Sequence, residues 1–223
     1  MNYLDIFDSA KVWIKYVHFL NKKYYKNDFL EIGAGIGSFT DRYKKNIKNI
    51  FLTEVDKNNL NILKEKYKND ANITVLESEI INVSQKFNTI AHFNVLEHIK
   101  NDKDEIINCL GKINKDGYLV ILVPAHNELY SNLDKDVGHY RRYKKSFFQN
   151  LNLSNGLIVE LKYMDCMGYI LYYMNKLIYK KETCPSSFKI FVWDKIFTPL
   201  TILVDFITSY KFGKNILCVI KKI

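Results

Sequence analysis

The stretch Phe29-Leu30-Glu31-Ile32-Gly33-Ala34-Gly35-Ile36-Gly37-Ser38-Phe39-Thr40 constrains the fold more than any other. An apolar run interrupted by an acid leads into three glycines at alternate positions, and a helical pattern follows. That is the layout of a buried strand, a tight turn and a helix start, where bare backbone can approach a nucleotide-like ligand. A Cβ at the glycines would block the approach or forbid the turn. The dinucleotide fingerprint would place its third glycine at position 38, where Ser38 stands. The spacing therefore argues against NAD or FAD, and the lack of a P-loop lysine argues against a nucleoside triphosphate.

Strand and helix patterns alternate around this turn. Strands are expected at 28–32, 50–53, 73–76, 87–93, 118–123, 157–163 and 215–219. Helices are expected at 2–25, where Leu4, Phe7, Trp13, Ile14, Val17 and Leu20 recur near helical spacing, and at 37–43, 57–69, 102–113 and 144–151. Lys115-Asp116-Gly117 is a turn before the fifth strand, and Pro124 closes that strand. A long loop then runs to Tyr143. This alternation predicts an α/β fold: a Rossmann-like, doubly wound, mostly parallel seven-stranded sheet with a helical insertion before the last strand. The chain is expected to be one domain, with an N-terminal helix (1–26), a cofactor-binding core (27–164), an insertion or lid (165–212) and the last strand (213–223). Ligands of such folds bind at the carboxyl ends of the strands.

A net charge of +9 suits an acidic partner such as nucleic acid, an anionic membrane face or a phosphorylated substrate. It also fits a plain bias in residue usage, because nearly all the positive charge is lysine in a chain rich in Asn, Ile and Tyr. Arginine occurs only at Arg42, Arg141 and Arg142. The adjacent pair suggests either a forked donor for an anion or a structural tie. Cys109, Cys166, Cys184 and Cys218 show no CxxC pair and no zinc spacing, so free thiols in a reducing cytoplasm and no metal are expected. Asp5 and Asp8 interrupt the first apolar residues, which argues against a signal peptide.

The pattern Leu-Glu-Ile-Gly-x-Gly-x-Gly resembles motif I of the class I S-adenosylmethionine-dependent methyltransferases. The resemblance implies that Glu31, Gly33, Ala34, Gly35 and Gly37 line the S-adenosylmethionine site and that S-adenosylhomocysteine is the product. Glu54 ends the second strand, where an acceptor-only carboxylate can take both ribose hydroxyls. Asp56 is its rival, and Glu54-Val55-Asp56 resembles the family's Glu-x-Asp variant, whose first acid takes the ribose. Glu77-Ser78-Glu79-Ile80 stands where the family usually has Gly-Asp; Glu79 is the match for the adenine amino group, one methylene longer, with Val55 and Ile80 as apolar walls. His92-Phe93-Asn94-Val95-Leu96-Glu97-His98-Ile99 looks like the family's Asn-Val-Leu-Glu-His segment. The likeness places the backbone of Phe93 and Asn94 against the methionine part and His98 near the methyl group; otherwise Glu97 and His98 cap or pack a short helix.

The string Val123-Pro124-Ala125-His126, Leu129-Tyr130, Asp134, Gly138-His139-Tyr140-Arg141-Arg142-Tyr143 resembles a bacterial subgroup of small-molecule methyltransferases. The resemblance puts this loop on the acceptor side. Methyl transfer needs alignment and desolvation, and a hydroxyl acceptor also needs a general base. His139 is the first candidate, with His126 and His98 in reserve; Arg141 and Arg142 would hold an anionic acceptor group or the cofactor carboxylate, and Tyr140 and Tyr143 could wall the pocket. The expected reaction is methylation of a small molecule, sugar or glycolipid-like acceptor, at oxygen. Two alternatives stay open: an RNA methyltransferase, although the Asn-Pro-Pro-Tyr type of segment is not found after the fourth strand, and a non-catalytic S-adenosylmethionine-binding module.

In the insertion, Asp194, Thr198, Thr201, Asp205 and Ser209 recur at helical spacing among apolar residues. The pattern reads as a helix buried against the sheet, as a lid, or as a face meeting anionic lipid with Lys176, Lys180, Lys181, Lys189 and Lys195 nearby. The chain is thus expected to be cytoplasmic or peripheral to a membrane, in an oligomeric state that the residues leave open.

Overall fold

The computed structural model describes residues 7–77, 79–82, 84–178 and 185–223, with the backbone alone at 81 and 176–178. Leu4, Asp5, Ser78, Lys180, Lys181 and Cys184 lie outside the described residues, as does the side chain of Lys176.

Seven strands form one sheet: β1 Phe29–Ile32, β2 Ile50–Thr53, β3 Ile73–Leu76, β4 Phe87–Phe93, β5 Ile113–Pro124, β6 Gly156–Met164 and β7 Asn215–Lys222. Their order is β3-β2-β1-β4-β5-β7-β6. The first five run parallel, and β7 runs antiparallel to both β5 and β6. Since β1 pairs with β2 on one side and β4 on the other, the winding reverses there. Doubly wound sheets open their ligand crevice at that switch point.

The helices are α1 Lys11–Asn21, α2 Thr40–Tyr43, α3 Lys57–Tyr67, α4 Asp102–Gly111, α5 Asn132–Asp136, α6 Lys145–Gln149, α7 Cys166–Ile178, α8 Ser187–Val192 and α9 Thr198–Ile207, with a π turn at Trp193–Phe197 between the last two. Strand side chains alternate between faces. Phe29, Leu52, Ala91, Val120, Leu122, Leu217 and Val219 therefore join one core with Trp13, Tyr16, Val17 and Leu20 of α1. Leu30, Ile32, Ile90, Leu119, Ile121, Ile216, Cys218 and Ile220 join the other, under Ile106, Cys109 and Leu110 of α4.

Several boundaries differ from the sequence reading. The N-terminal segment is not one helix over 2–25: Phe7 and Asp8 are helical, the helix breaks at Ser9–Ala10, and α1 then runs on into a 3-10 turn at Lys22–Tyr24. α1 starts where the Asp194 carboxylate accepts from the N–H groups of Val12 (3.2 Å) and Trp13 (2.9 Å). α2 starts at Thr40 rather than Gly37, because the turn stays left-handed through Gly37 (φ +80°). β5 begins at Ile113, so the expected turn lies inside it as a pairing irregularity: the β4 register jumps from Phe87–Ile113 to Thr89–Tyr118, with Asp116 at φ +64°. The expected long loop holds a 3-10 turn at Asn127–Leu129 and α5, and β7 runs on to Lys222.

The insertion is helical as expected, and of the orientations left open it does not take the one that buries its apolar side. Asp194, Thr198, Thr201 and Asp205 are buried at 0% exposure. Phe191, Ile196, Leu200, Leu203, Phe206 and Ile207 face outward. The polar stripe is inside because it supplies acceptors that buried donors need. Asp205 takes the Tyr16 hydroxyl (2.9 Å) and the N–H groups of Asp165 (2.8 Å) and Cys166 (3.1 Å), while Asp194 receives the start of α1. Helix starts leave N–H groups unpaired and favour negative charge, so each aspartate caps a helix other than its own.

Candidate cofactor and acceptor site

The glycine turn follows β1 at the switch point. Gly33, Gly35 and Gly37 all take positive φ (+63°, +58° and +80°), which L side chains adopt rarely. A Cβ on Gly33 would come within 2.8 Å of the Val95 side chain, and one on Gly37 would strike the Tyr67 ring. The Tyr67 hydroxyl donates to the Gly37 carbonyl (2.9 Å), a support for the turn that the sequence reading did not find.

Glu54 ends at the mouth of this turn. Its Oε2 accepts from the Gly35 N–H (2.8 Å), and its Oε1 accepts from the N–H groups of Val55 and Asp56 (2.8 Å each). A carboxylate has about four acceptor positions. By that count one position, on Oε2, is left for a ribose hydroxyl. Asp56 is spent elsewhere: it caps α3 by accepting from Asn58 (3.0 Å) and Asn59 (2.9 Å). The free acceptor position at Glu54 therefore fits a nucleoside sugar, and the lysine at the turn, Lys66, is engaged by the Ile36 carbonyl (2.9 Å) and Asp41 (2.8 Å).

The other cofactor candidates divide. Val55 is 67% exposed beside Glu54, a bare apolar surface suited to a base. Glu79 is also exposed. Ile80 is instead buried in the core with Leu30 and Ile90. Ala34 is buried and donates its N–H to Thr53 (3.0 Å). Phe93 stacks on Phe39, ring centres 4.5 Å apart, and Asn94 turns the chain at φ +56° at the end of β4. The Glu31 carboxylate accepts from the Thr40 hydroxyl (2.6 Å) and the Tyr43 hydroxyl; burial pushes it up to about 7 against those two hydrogen bonds.

On the acceptor side, two segments far apart in sequence are zipped together. Tyr140 N–H donates to the Glu97 carbonyl (2.8 Å), and the Tyr143 hydroxyl donates to the Leu96 carbonyl (3.1 Å) and to Asp102 (3.0 Å). Arg141 pairs with Asp102 (2.6 Å) and the Lys100 carbonyl (2.9 Å). Arg142 is buried and grips Asp134 through Nε and a terminal nitrogen, both at 2.9 Å. Both arginines thus tie loops together. Tyr143 is buried and Tyr140 is exposed.

His139 Nδ1–H donates to Asp134 Oδ1 (2.8 Å), and its Nε2 lies 3.9 Å from Glu97 Oε1. The His98 ring stands edge-on to it at 4.6 Å. Burial works against ionisation of Asp134, but hydrogen bonds from His139 and Arg142 outweigh it and hold Asp134 well below the usual carboxylate range. Burial pushes Glu97 up to about 8, with Arg142 pulling the other way. Partial desolvation, then the neighbouring His139, pushes His98 down to about 4 although its ring reaches solvent. His126, the other reserve base, is fixed: its φ is +68°, its ring stacks on Tyr163 at 4.8 Å, and its nitrogens meet the Gly213 carbonyl (3.1 Å) and Glu128 (3.2 Å).

Asp134 and Asp102, which hold His139 and the two arginines, were not among the expected site residues. Asp134 stands five residues before His139 in the same motif string, and that spacing was the available signal. A separate hollow of about 430 Å³, lined by Ser84, Lys86, Ile107, Asn108, Gly111 and Lys112, sits at the amino edge of the sheet, across from this site.

A sequence profile described as "Methyltransferase domain" matches residues 7–159. A comparison with curated protein sequences finds no match. Among solved structures, the N-methyltransferase NodS from Bradyrhizobium japonicum WM9, in complex with S-adenosyl-L-homocysteine, aligns over 93% of this chain and 84% of its own, with TM-score 0.58 and 14% identity. An S-adenosylmethionine-dependent methyltransferase from Clostridium acetobutylicum ATCC 824 aligns over 96% and 92%, with TM-score 0.60 and 13% identity. Coclaurine N-methyltransferase bound to N-methylheliamine and S-adenosylhomocysteine aligns over 94% and 72%, with TM-score 0.60 and 16% identity. At these identities the structures share the fold. The profile spans more than half of the chain, so the chain belongs to the methyltransferase domain family, and its methyl donor is S-adenosylmethionine.

Proposed function

We propose that this methyltransferase, as a member of the Gly-His-Tyr-Arg-Arg-Tyr subgroup, methylates an oxygen of a small amphiphilic acceptor, glycolipid-like in character, at an anionic membrane surface. The observation that carries this reading is the outward apolar side of the insertion. Phe188 (74% exposed), Phe206 (73%) and Ile207 (68%) are uncovered by the described residues, and Ile170, Tyr173 and Met174 of α7 are exposed apolar side chains as well. Lys189, Lys195 and Lys211 are exposed on the same segment. Apolar side chains beside lysines suit the headgroup region of an anionic bilayer. Among the described residues no helix is long and apolar enough to cross a membrane, so the contact would be peripheral.

The position of this surface links it to the chemistry. The insertion leaves the sheet at Met164 and returns at Asn215, which pair at the carboxyl edge. Its α7 touches the acceptor loop: Tyr172 OH meets Ser131 Oγ (2.6 Å), and the Arg142 guanidinium lies 4.7 Å from the Tyr172 ring centre. An acceptor held in lipid would meet the protein beside the loop that carries His139.

S-adenosylmethionine, when bound, supplies a methyl group already activated on a positively charged sulfur. Glu54 would hold its sugar, the glycine turn its amino-acid end, and Val55 its base. A hydroxyl acceptor must also lose a proton. With Nδ1–H given to Asp134, His139 offers an unprotonated Nε2 to take it. NodS and coclaurine N-methyltransferase carry nitrogen in their names. Oxygen is preferred here because a neutral amine offers its lone pair without prior loss of a proton, and the Asp134–His139 pair would then have no task.

Flotation on vesicles tests the reading. The protein should rise with phosphatidylglycerol vesicles and not with phosphatidylcholine ones, and Phe188→Ser/Phe206→Ser/Ile207→Ser should stay at the bottom. Equal failure to float on both lipids overturns the membrane reading, and salt-sensitive retention on RNA in its place would favour a nucleic-acid acceptor.

A further inference from the structure

We propose that Glu97, His98 and His139 hold a divalent metal cation on the acceptor side of the cofactor edge. One ligand atom from each lies within 4.8 Å of the others. Tetrahedral bonds of about 2.0–2.2 Å to one ion set ligand atoms about 3.3–3.6 Å apart, so the widest pair would close by roughly 1 Å on binding.

The first argument is an unmet need. Glu97 is 0% exposed, and neither carboxylate oxygen has a hydrogen-bond partner. A buried polar group left so costs about 1–3 kcal/mol. Native proteins rarely keep one without a ligand, ion or strain to explain it. Glu97 sits on a 3-10 turn (Leu96–His98) anchored through the Tyr143 hydroxyl and the Tyr140 N–H, so it is held in place.

The second argument is tautomer. His139 Nδ1 meets Asp134 Oδ1, and Arg142 fixes Asp134 in turn. Nδ1–H donated to a carboxylate leaves the Nε2 lone pair bare, aimed at Glu97. Carboxylate–histidine–metal chains are built this way, the outer acid setting ring orientation and basicity. His98 closes the set from the solvent side, where an ion could enter.

The donor types name the class of ion. Two imidazoles and one carboxylate suit zinc, manganese, cobalt or iron rather than calcium or magnesium, and three protein ligands leave open positions. A hydroxyl oxygen bound there would lose its proton to solvent more easily, a task the bare His139 nitrogen would otherwise perform. This rests on the acceptor-side reading given above, with the ion in place of His139 as the group that eases the proton from the hydroxyl. By contrast, His92, Glu105 and Cys109 also cluster, but they already partner one another (His92 Nε2 to Cys109 Sγ 3.3 Å, Cys109 Sγ to Glu105 3.8 Å) inside the core.

Cobalt titration of the chelator-stripped full chain tests the site. We expect one equivalent to bind with visible d–d absorption and no thiolate charge-transfer band. Glu97→Gln and His98→Ala should each weaken binding by about 100-fold or more, beyond the 10–100-fold typical of outer-shell losses. His98 is exposed, so its variant keeps the test clear of folding defects. No saturable binding, unchanged binding in both variants, or a thiolate band that places the ion at Cys109 would each overturn the proposal. The titration reads the ion whether or not the protein floats on lipid, and S-adenosylhomocysteine calorimetry on the same samples reports the cofactor half separately.

Discussion

The cofactor edge and the insertion both bury carboxylates but differ in what they leave outside. At the edge, Glu54 is 7% exposed beside the glycine turn, and the adjoining Val55 is 67% exposed. In the insertion, Asp194 and Asp205 are wholly inside and Phe206 and Ile207 are outside. Both carboxylates do the same local work, since Glu54 takes three backbone N–H groups and Asp205 takes two plus a hydroxyl. The difference is where the remaining position lies: each keeps about one of four, but that of Glu54 adjoins the glycine turn, whereas Asp205 is 0% exposed inside the fold. The lesson is that a polar stripe on a helix marks where acceptors are wanted, and this is the solvent side only when nothing within the fold needs them.

Breaking each region should give effects of different size. The largest is expected for Asp205→Ala, which strands three buried donors: about 3–5 kcal/mol of unfolding free energy in urea titration. A loss under about 1 kcal/mol would mean that the insertion is not held by its buried acid. Next comes Glu54→Ala, with S-adenosylhomocysteine affinity falling by about 1–3 kcal/mol in calorimetry; unchanged affinity would assign the sugar to another acid.

The seam between the two regions should show a smaller effect, read as pH dependence. Glu97 has its folded pKa raised to about 8 by burial, above its unfolded value of 4.5. Its protonated form is favoured in the fold, so that stability is fully present below about pH 4.5 and is lost as pH rises toward 8. Glu31, raised to about 7, acts in the same direction. In metal-free buffer Glu97→Gln should reduce the decline of unfolding free energy between pH 5 and pH 8, by about 1–2 kcal/mol at the upper end. An unaltered slope would mean that Glu97 ionises freely. Smallest of all, the serine triple variant of Phe188, Phe206 and Ile207 should stay within about 0.5 kcal/mol of wild type per site, because solvent-facing side chains contribute little. A large loss would show that those side chains pack in the folded monomer.

The cofactor edge was legible in sequence because its signals are local. Alternating glycines, the acid at the end of β2 and the apolar strands each depend on neighbours within one strand–turn–helix unit. Ile80 and Glu31 show where that reading stops: both flank the right motifs, but their side chains are drawn into the core and onto Thr40 and Tyr43. The insertion was legible as helix but not as to which side faces in. Periodicity gives the stripe, while its direction was set by donors at positions 12, 13, 16, 165 and 166. The arginine pair was weighed as an anion grip or a tie, and only the fold brings Asp102 and Asp134 to it.

The antiparallel last strand has a consequence for how such a molecule could diversify. Met164 and Asn215 are cross-strand neighbours, so the excursion between them begins and finishes at nearly the same point of the sheet. A segment closed in this manner can lengthen or shorten without shifting the register of any strand, provided that a carboxylate stays at each of the two places where Asp194 and Asp205 serve α1 and the start of α7. Change confined to the outward side would alter the clientele and spare the half that grips the methyl donor.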